Sequence, residues 1–133
     1  MKNLLIIIIT TFFCLISNIV YSVELKLKCR TGGLLNNGDY TNFKFDKGFF
    51  GSKLMERVSG NWIDLSENPI VSDYKIGDLS ANFVIKHNGL GNQMSLMFFN
   101  VVVDFETKQL EWKNCYDRQC SGEIIAKDIY NCN

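Results

Sequence analysis

His87 is the only histidine in the 133-residue chain, so imidazole chemistry has a single group to work with. One imidazole cannot build a multi-histidine metal centre. It stands directly before Asn88-Gly89, where a solvated turn residue is the simpler reading. The carboxylates worth weighing are Asp64, Glu67 and Asp104. Asp64 and Glu67 lie beside Trp62 and are the residue types of a carbohydrate-cleaving site, with acid, base and a ring to stack on. In strict alternation Asp104 falls on the same side of a strand as Leu96, Phe98 and Val102. If buried there, it would need a partner or a raised pKa. Glu106-Thr107 already reads as turn, so a surface position is expected. A hydrolase using Asp64, Asp104 or His87 is thus the weakest of the functional readings. The chain has no Gly-x-Ser-x-Gly elbow, no phosphate-binding loop and no His-Glu-x-x-His pair. Gly89-Leu90-Gly91 lacks a third glycine and a following helix, so it reads as loop. No enzyme activity, cofactor or metal is expected.

The remaining reactive residue type is cysteine. Cys14 sits in an apolar run, Leu4 to Ile16, which follows the basic start Met1-Lys2-Asn3 and precedes a more polar exit ending at Ser22. That order is the pattern of a secretory signal peptide over residues 1–22. The run is shorter than the ~20 residues that span a bilayer. Residues 23–133 are then one domain in a secreted or periplasmic location. Cys29, Cys115, Cys120 and Cys132 remain, an even number in a short exported chain, which reads as two disulfides. Cys29–Cys132 and Cys115–Cys120 are the expected pairs. The first would join the first and last strands, and the second would tie a polar loop. Cys-x4-Cys with lone cysteines elsewhere is a poor zinc pattern.

Charge gives little help with partners. The chain has 14 basic and 14 acidic residues, and loss of Lys2 with the leader leaves a net charge near −1. A nucleic-acid binder usually carries a basic excess or stripe. Neither nucleic acid nor a membrane surface is expected as a partner, and no span remains once the leader is removed.

Alternation of apolar and polar residues supplies the scaffold. Val23–Arg30 places Val23, Leu25, Leu27 and Cys29 inward, with Glu24, Lys26, Lys28 and Arg30 in water. Tyr40–Asp46 repeats this with Phe43 and Phe45 inward. Phe49-Phe50-Gly51 looks too apolar for solvent. Ser52–Val58 is ambiguous, since Leu54 and Val58 are also one helical turn apart, but Trp62–Leu65 follows like the return arm of a hairpin. Ile70–Ile76, Ser80–Lys86, Leu110–Lys113 and Glu123–Cys132 supply further strands. Short strands at even spacing predict an all-β antiparallel meander, either a small sandwich or a partly closed barrel.

Met94–Phe105 is the organising stretch. Leu96, Phe98 and Val102 fall on one side; Met97, Phe99, Val101, Val103 and Phe105 fall on the other. A strand apolar on both faces needs a cover on both. With one cover only, the Met97–Phe99 side would be an exposed docking patch. Trp62, Tyr74, Trp112 and Tyr116 lie near turns or polar neighbours, where an aromatic can anchor a partner. With Met97 and Phe99 they are the candidate partner-binding residues. The leading functional expectation is an exported, non-catalytic binding or accessory protein of the cell envelope, in the manner of an inhibitor, its partner a protein or envelope component. The alternative is a carrier holding a small apolar ligand in a barrel mouth.

Overall fold

The computed structural model describes residues 22–35, 38–48, 50–88 and 96–133. The expected signal peptide up to residue 21, the Gly89-Leu90-Gly91 loop and the first residues of the central stretch lie outside them. Nine strands are described. β1 (Val23–Arg30), β2 (Tyr40–Gly48), β3 (Gly51–Val58) and β4 (Asn61–Asp64) form one antiparallel sheet in chain order. β5 (Val71–Ile76), β6 (Ser80–Asn88), β7 (Leu96–Asp104), β8 (Gln109–Cys115) and β9 (Ile124–Asn131) form a second, also in chain order. The expected meander is therefore two packed sheets and not a closed barrel. No helix among the described residues is long and apolar enough to cross a membrane.

The chain changes sheets at residues 64–70. Asp64 accepts hydrogen bonds from Ser66 N–H at 3.0 Å and Ser66 Oγ at 2.7 Å, capping a single 3-10 turn, Leu65–Glu67. Leu65 is fully buried and so pins the turn to the core. The turn stops β4 opposite Met55. The next amide of β3, Leu54 N–H, donates to the Tyr74 phenol oxygen of β5 at 3.0 Å. A side chain of the second sheet thus takes over where a ladder partner runs out, as buried backbone donors require.

The inward faces are those that alternation predicts. Leu27, Cys29, Phe43, Phe45 and Leu54 meet Ala81, Phe83, Ile85, Val101, Val103, Phe105 and Leu110. Phe45 and Phe105 stack across the gap with centroids 4.0 Å apart. Thr31 and Thr41, both buried, satisfy each other at 2.9 Å. At one corner Lys28 and Asn133 exchange backbone hydrogen bonds of 2.8 and 3.0 Å. There Cys29 joins Cys132 as expected. Two inward assignments fail at the end of the molecule. Val23 is half exposed, because the core does not extend to the start of β1. Phe50 is fully exposed, because it sits at the tip of the β2–β3 hairpin.

Both faces of β7 have covers. Phe99, Val101 and Val103 look into the core, so the side proposed for docking is the interior one. The opposite side carries Phe98, Asn100 and Val102, all half-buried; the loop that follows β8 covers it in part and leaves a hollow of about 570 Å³ along Asn100 and Val102. Cys115–Cys120 closes that loop. Asp117 braces it by accepting from the backbone N–H groups of Gln119, Ser121 and Gly122 at 3.0–3.2 Å. Asn100 Nδ2 donates to Arg118 O at 3.3 Å and Cys120 Sγ at 2.9 Å. Arg118 reaches on to Asp73 of β5 through both Nε and Nη2.

Candidate functional site: a cationic face on the first sheet

The outward face of the first sheet is where charge is left over. Alternation points Lys26, Lys28, Arg30, Lys44, Lys53 and Arg57 outward, against Glu24, Asp46 and Asp64. Register then sets these residues side by side. Lys26 lies directly opposite Lys44, and Lys44 opposite Met55. Arg30 faces Tyr40, Lys28 faces Asn42, and Arg57 faces Trp62. Like charges opposite one another destabilise a strand pair, and here Glu24 reduces that cost by pairing with Lys26 at 3.0 Å and attracting Lys44.

Aromatic rings partly offset that cost. Lys44 Nζ lies 5.4 Å from the Trp62 ring centroid and Lys28 Nζ 5.1 Å from that of Tyr40. The Arg30 guanidinium carbon is 5.6 Å from the Tyr130 ring. Each such contact is worth ~0.5–1 kcal/mol at an exposed site. Carboxylates contribute less. Among these six cations and the described residues, only Lys26 forms an ion pair, with Glu24 at 3.0 Å, and the Lys26 hydrogen bond holds the Glu24 carboxyl below its ordinary value. The second sheet is different. There Lys113 and Lys127 share Glu111 at 3.1 and 3.2 Å, and Arg118 grips Asp73. Burial pushes the Glu111 carboxyl up, but the two lysines more than reverse this and it titrates low. Charge that balances over the whole chain is therefore segregated in space.

A hollow of about 180 Å³ lies on the cationic face. Lys26, Lys28 and Arg57 bring positive charge to it, with Trp62 and Asn42 beside them, and Asn133 also lines it. Among the described residues no aspartate or glutamate side chain lines it.

The sequence candidates do not converge on one site. Trp62 is half-buried on the cationic face. Tyr74 is half-buried at the core edge, its oxygen occupied by Leu54 N–H. Met97, Phe99 and Trp112 cluster at the inward side of the second sheet, with Phe99 and Trp112 edge-to-face at 5.6 Å. Asn114 Nδ2 contacts Met97 Sδ there at 3.7 Å. Tyr116 is exposed on the disulfide loop. The acid–base candidates serve as turn braces. Asp64 caps the 3-10 turn. Asp104 accepts from Glu106 and Thr107 N–H at 2.9 and 2.8 Å, and the Thr107 bond leads in holding its carboxyl low, as a surface turn residue should. The His87 side chain lies outside the described residues. No cluster of metal-ligating side chains occurs among the described residues.

The structure also places one carboxylate that the sequence reading passed over. Glu56 alternates with Leu54 and Val58 on the inward side of β3 and is 1% exposed. Its Oε1 accepts from Asn68 Nδ2 at 2.5 Å; its Oε2 has no hydrogen-bond partner among the described residues. It borders an open cavity of about 690 Å³ with Leu35, Ile63, Glu67 and Pro69. Burial pushes the Glu56 carboxyl up, and the Asn68 bond opposes this only in part. A carboxyl raised in the folded state contributes stability at low pH, and that contribution is lost as pH rises through the folded pKa. E56Q keeps an acceptor for Asn68 and removes the charge. The variant is expected to equal wild type near pH 4 and to be the more stable of the two near pH 8. Urea unfolding at both pH values checks this, and a variant that is less stable at pH 8 would refute it.

No protein-family model, curated protein or solved structure matches the chain.

Proposed function

We propose that this chain is an exported, non-catalytic binding protein whose partner, a component of the cell envelope, seats on the outward face of the first sheet. The observation that carries the reading is the Lys26–Lys44 pair beside Trp62. A fold under selection for stability alone has no use for opposed lysines, whereas a surface that meets an anion does. Export fits the leader-like start of the chain and the two disulfides, which persist in oxidising compartments. A catalytic role has little behind it, because Asp64 and Asp104 are spent on turns. The carrier reading also has less support. Phe43, Phe45, Phe83 and Phe105 fill the space between the sheets, and the cavity of about 690 Å³ is an open one bordered by Glu56 and Pro69.

The test expresses the chain with its own leader, recovers it from the compartment it reaches, and immobilises it. Envelope fractions are passed over wild type and over the double variant K26Q/K44Q. Wild type is expected to retain a component that the double variant releases at least tenfold more readily. Equal retention by the two proteins, or retention by neither, would sink the reading.

A further inference from the structure

We infer that the hollow on the cationic face takes an acidic sugar unit of an anionic glycan, an assignment that rests on the binding reading just given and adds the chemistry of the ligand. Three features of the hollow select that class. Its volume, about 180 Å³, is below the ~300–1,000 Å³ of sites that engulf a whole small molecule, so it fits one unit of a longer chain. Its polar groups are mixed. Lys28 and Arg57 have no carboxylate partner among the described residues and can meet a carboxylate or phosphate, while the Asn42 amide suits a hydroxyl. Trp62, half-buried at the border of the hollow, adds apolar contact area for a sugar ring. Lys44 lies over Trp62 and steadies it before any ligand arrives, so little side-chain entropy is left to lose.

The surroundings argue for a narrow polymer and against other polyanions. The positive row runs from Arg57 past Lys28 to Arg30, while Glu24 and Asp46 lie at one end of the face and Asp64 on its β4 edge. A thin glycan can follow the row; the broad phosphate surface of a duplex would meet the acids. A bilayer is the other anionic surface to consider. Insertion needs exposed apolar side chains, and among the described residues the outward face of these strands exposes one large apolar side chain, Tyr40, with Phe50 apart from it at the hairpin tip beyond the acidic end.

The experiment titrates the exported protein with polygalacturonate, with its methyl-esterified neutral form, with duplex DNA and with phosphatidylglycerol vesicles. Tryptophan emission is the readout, since Trp62 and Trp112 are the only tryptophans. Polygalacturonate is expected to bind and change the emission. K28Q and R57Q should each weaken it about tenfold, the loss of one charge-assisted contact. K113Q on the second sheet should leave affinity unchanged. The esterified polymer should bind at least tenfold more weakly than the acid. Equal or tighter binding of DNA or vesicles, with the same response to K28Q and R57Q, would overturn the glycan assignment. So would binding of polygalacturonate that K28Q and R57Q do not affect. If no probe binds but the wild-type protein still retains an envelope component, this inference fails and the binding reading stands; if that retention is also absent, both fail.

Discussion

Replacing Cys29 and Cys132 together by serine is expected to lower the unfolding free energy by roughly 4–5 kcal/mol, the largest loss available from one covalent change in this protein. The bridge closes a separation of 103 residues. In the chain-entropy model, the cost of an open unfolded chain grows with the logarithm of that loop, so this bridge is worth about twice the one at Cys115–Cys120, whose separation is 5. Burial adds to the effect. Cys29 is fully buried and Cys132 nearly so, and two serine hydroxyls would enter the core edge in their place. Urea unfolding of C29S/C132S against wild type measures the difference, and C115S/C120S gives the smaller reference loss of roughly 2 kcal/mol. A loss under about 1 kcal/mol for the long-range pair, or a larger loss for the short-range pair, would contradict the account.

The second large effect is expected at Phe45. Its ring is nearly buried and stacks on Phe105 of the opposite sheet. F45A should cost about 3–5 kcal/mol, the sum of lost transfer energy and of the cavity left between two sheets that cannot close on it. F45L should cost less, because it refills most of the volume. The pair itself is separable by a double-mutant cycle. F45A and F105A together should fall short of additivity by roughly 0.5–1.5 kcal/mol. Strict additivity would show that the two rings do not communicate across the sandwich.

Much of this architecture was legible in residue order, and the reason is the period of two. Val23–Arg30 alternates without error and forms β1 with those bounds. Ser52–Val58 fits helix and strand spacing alike, and the structure resolves it as β3 because β2 and β4 supply its ladder partners. That same ambiguity hid Glu56. Read as a strand, Leu54, Glu56 and Val58 share a face and the carboxylate is buried; read as a helical turn, it is not. The disulfide pairs were legible from compartment and spacing. The break into two sheets was less so, because it depends on Asp64 capping a three-residue turn and on Tyr74 replacing a missing strand, both set by tertiary contact. The cover on the Phe98–Val102 side of β7 is a loop, and no periodicity announces a loop that folds back over a sheet. The cationic face was hidden by arithmetic. Lys26, Lys28 and Arg30 could be seen to point one way, but their approach to Lys44 and Arg57 is a matter of register, and a near-zero total charge concealed it.

The corner where Cys29 meets Cys132 and Lys28 exchanges hydrogen bonds with Asn133 has a mechanical consequence. Tension applied to the two ends of the domain enters at that corner and passes directly through a covalent link. Strands β2–β9 lie in the closed loop behind it and carry no load, whereas Val23–Lys28 of β1 lie ahead of it. A pulled molecule should therefore yield only the few residues ahead of Cys29, and reduction of the bond should release the 103-residue separation at once, a gain of about 340–370 Å in contour length. Under such a load Lys26 and Lys28, which precede Cys29, would be drawn off the binding face, while Arg30, Lys44, Arg57 and Trp62 stay inside the closed loop.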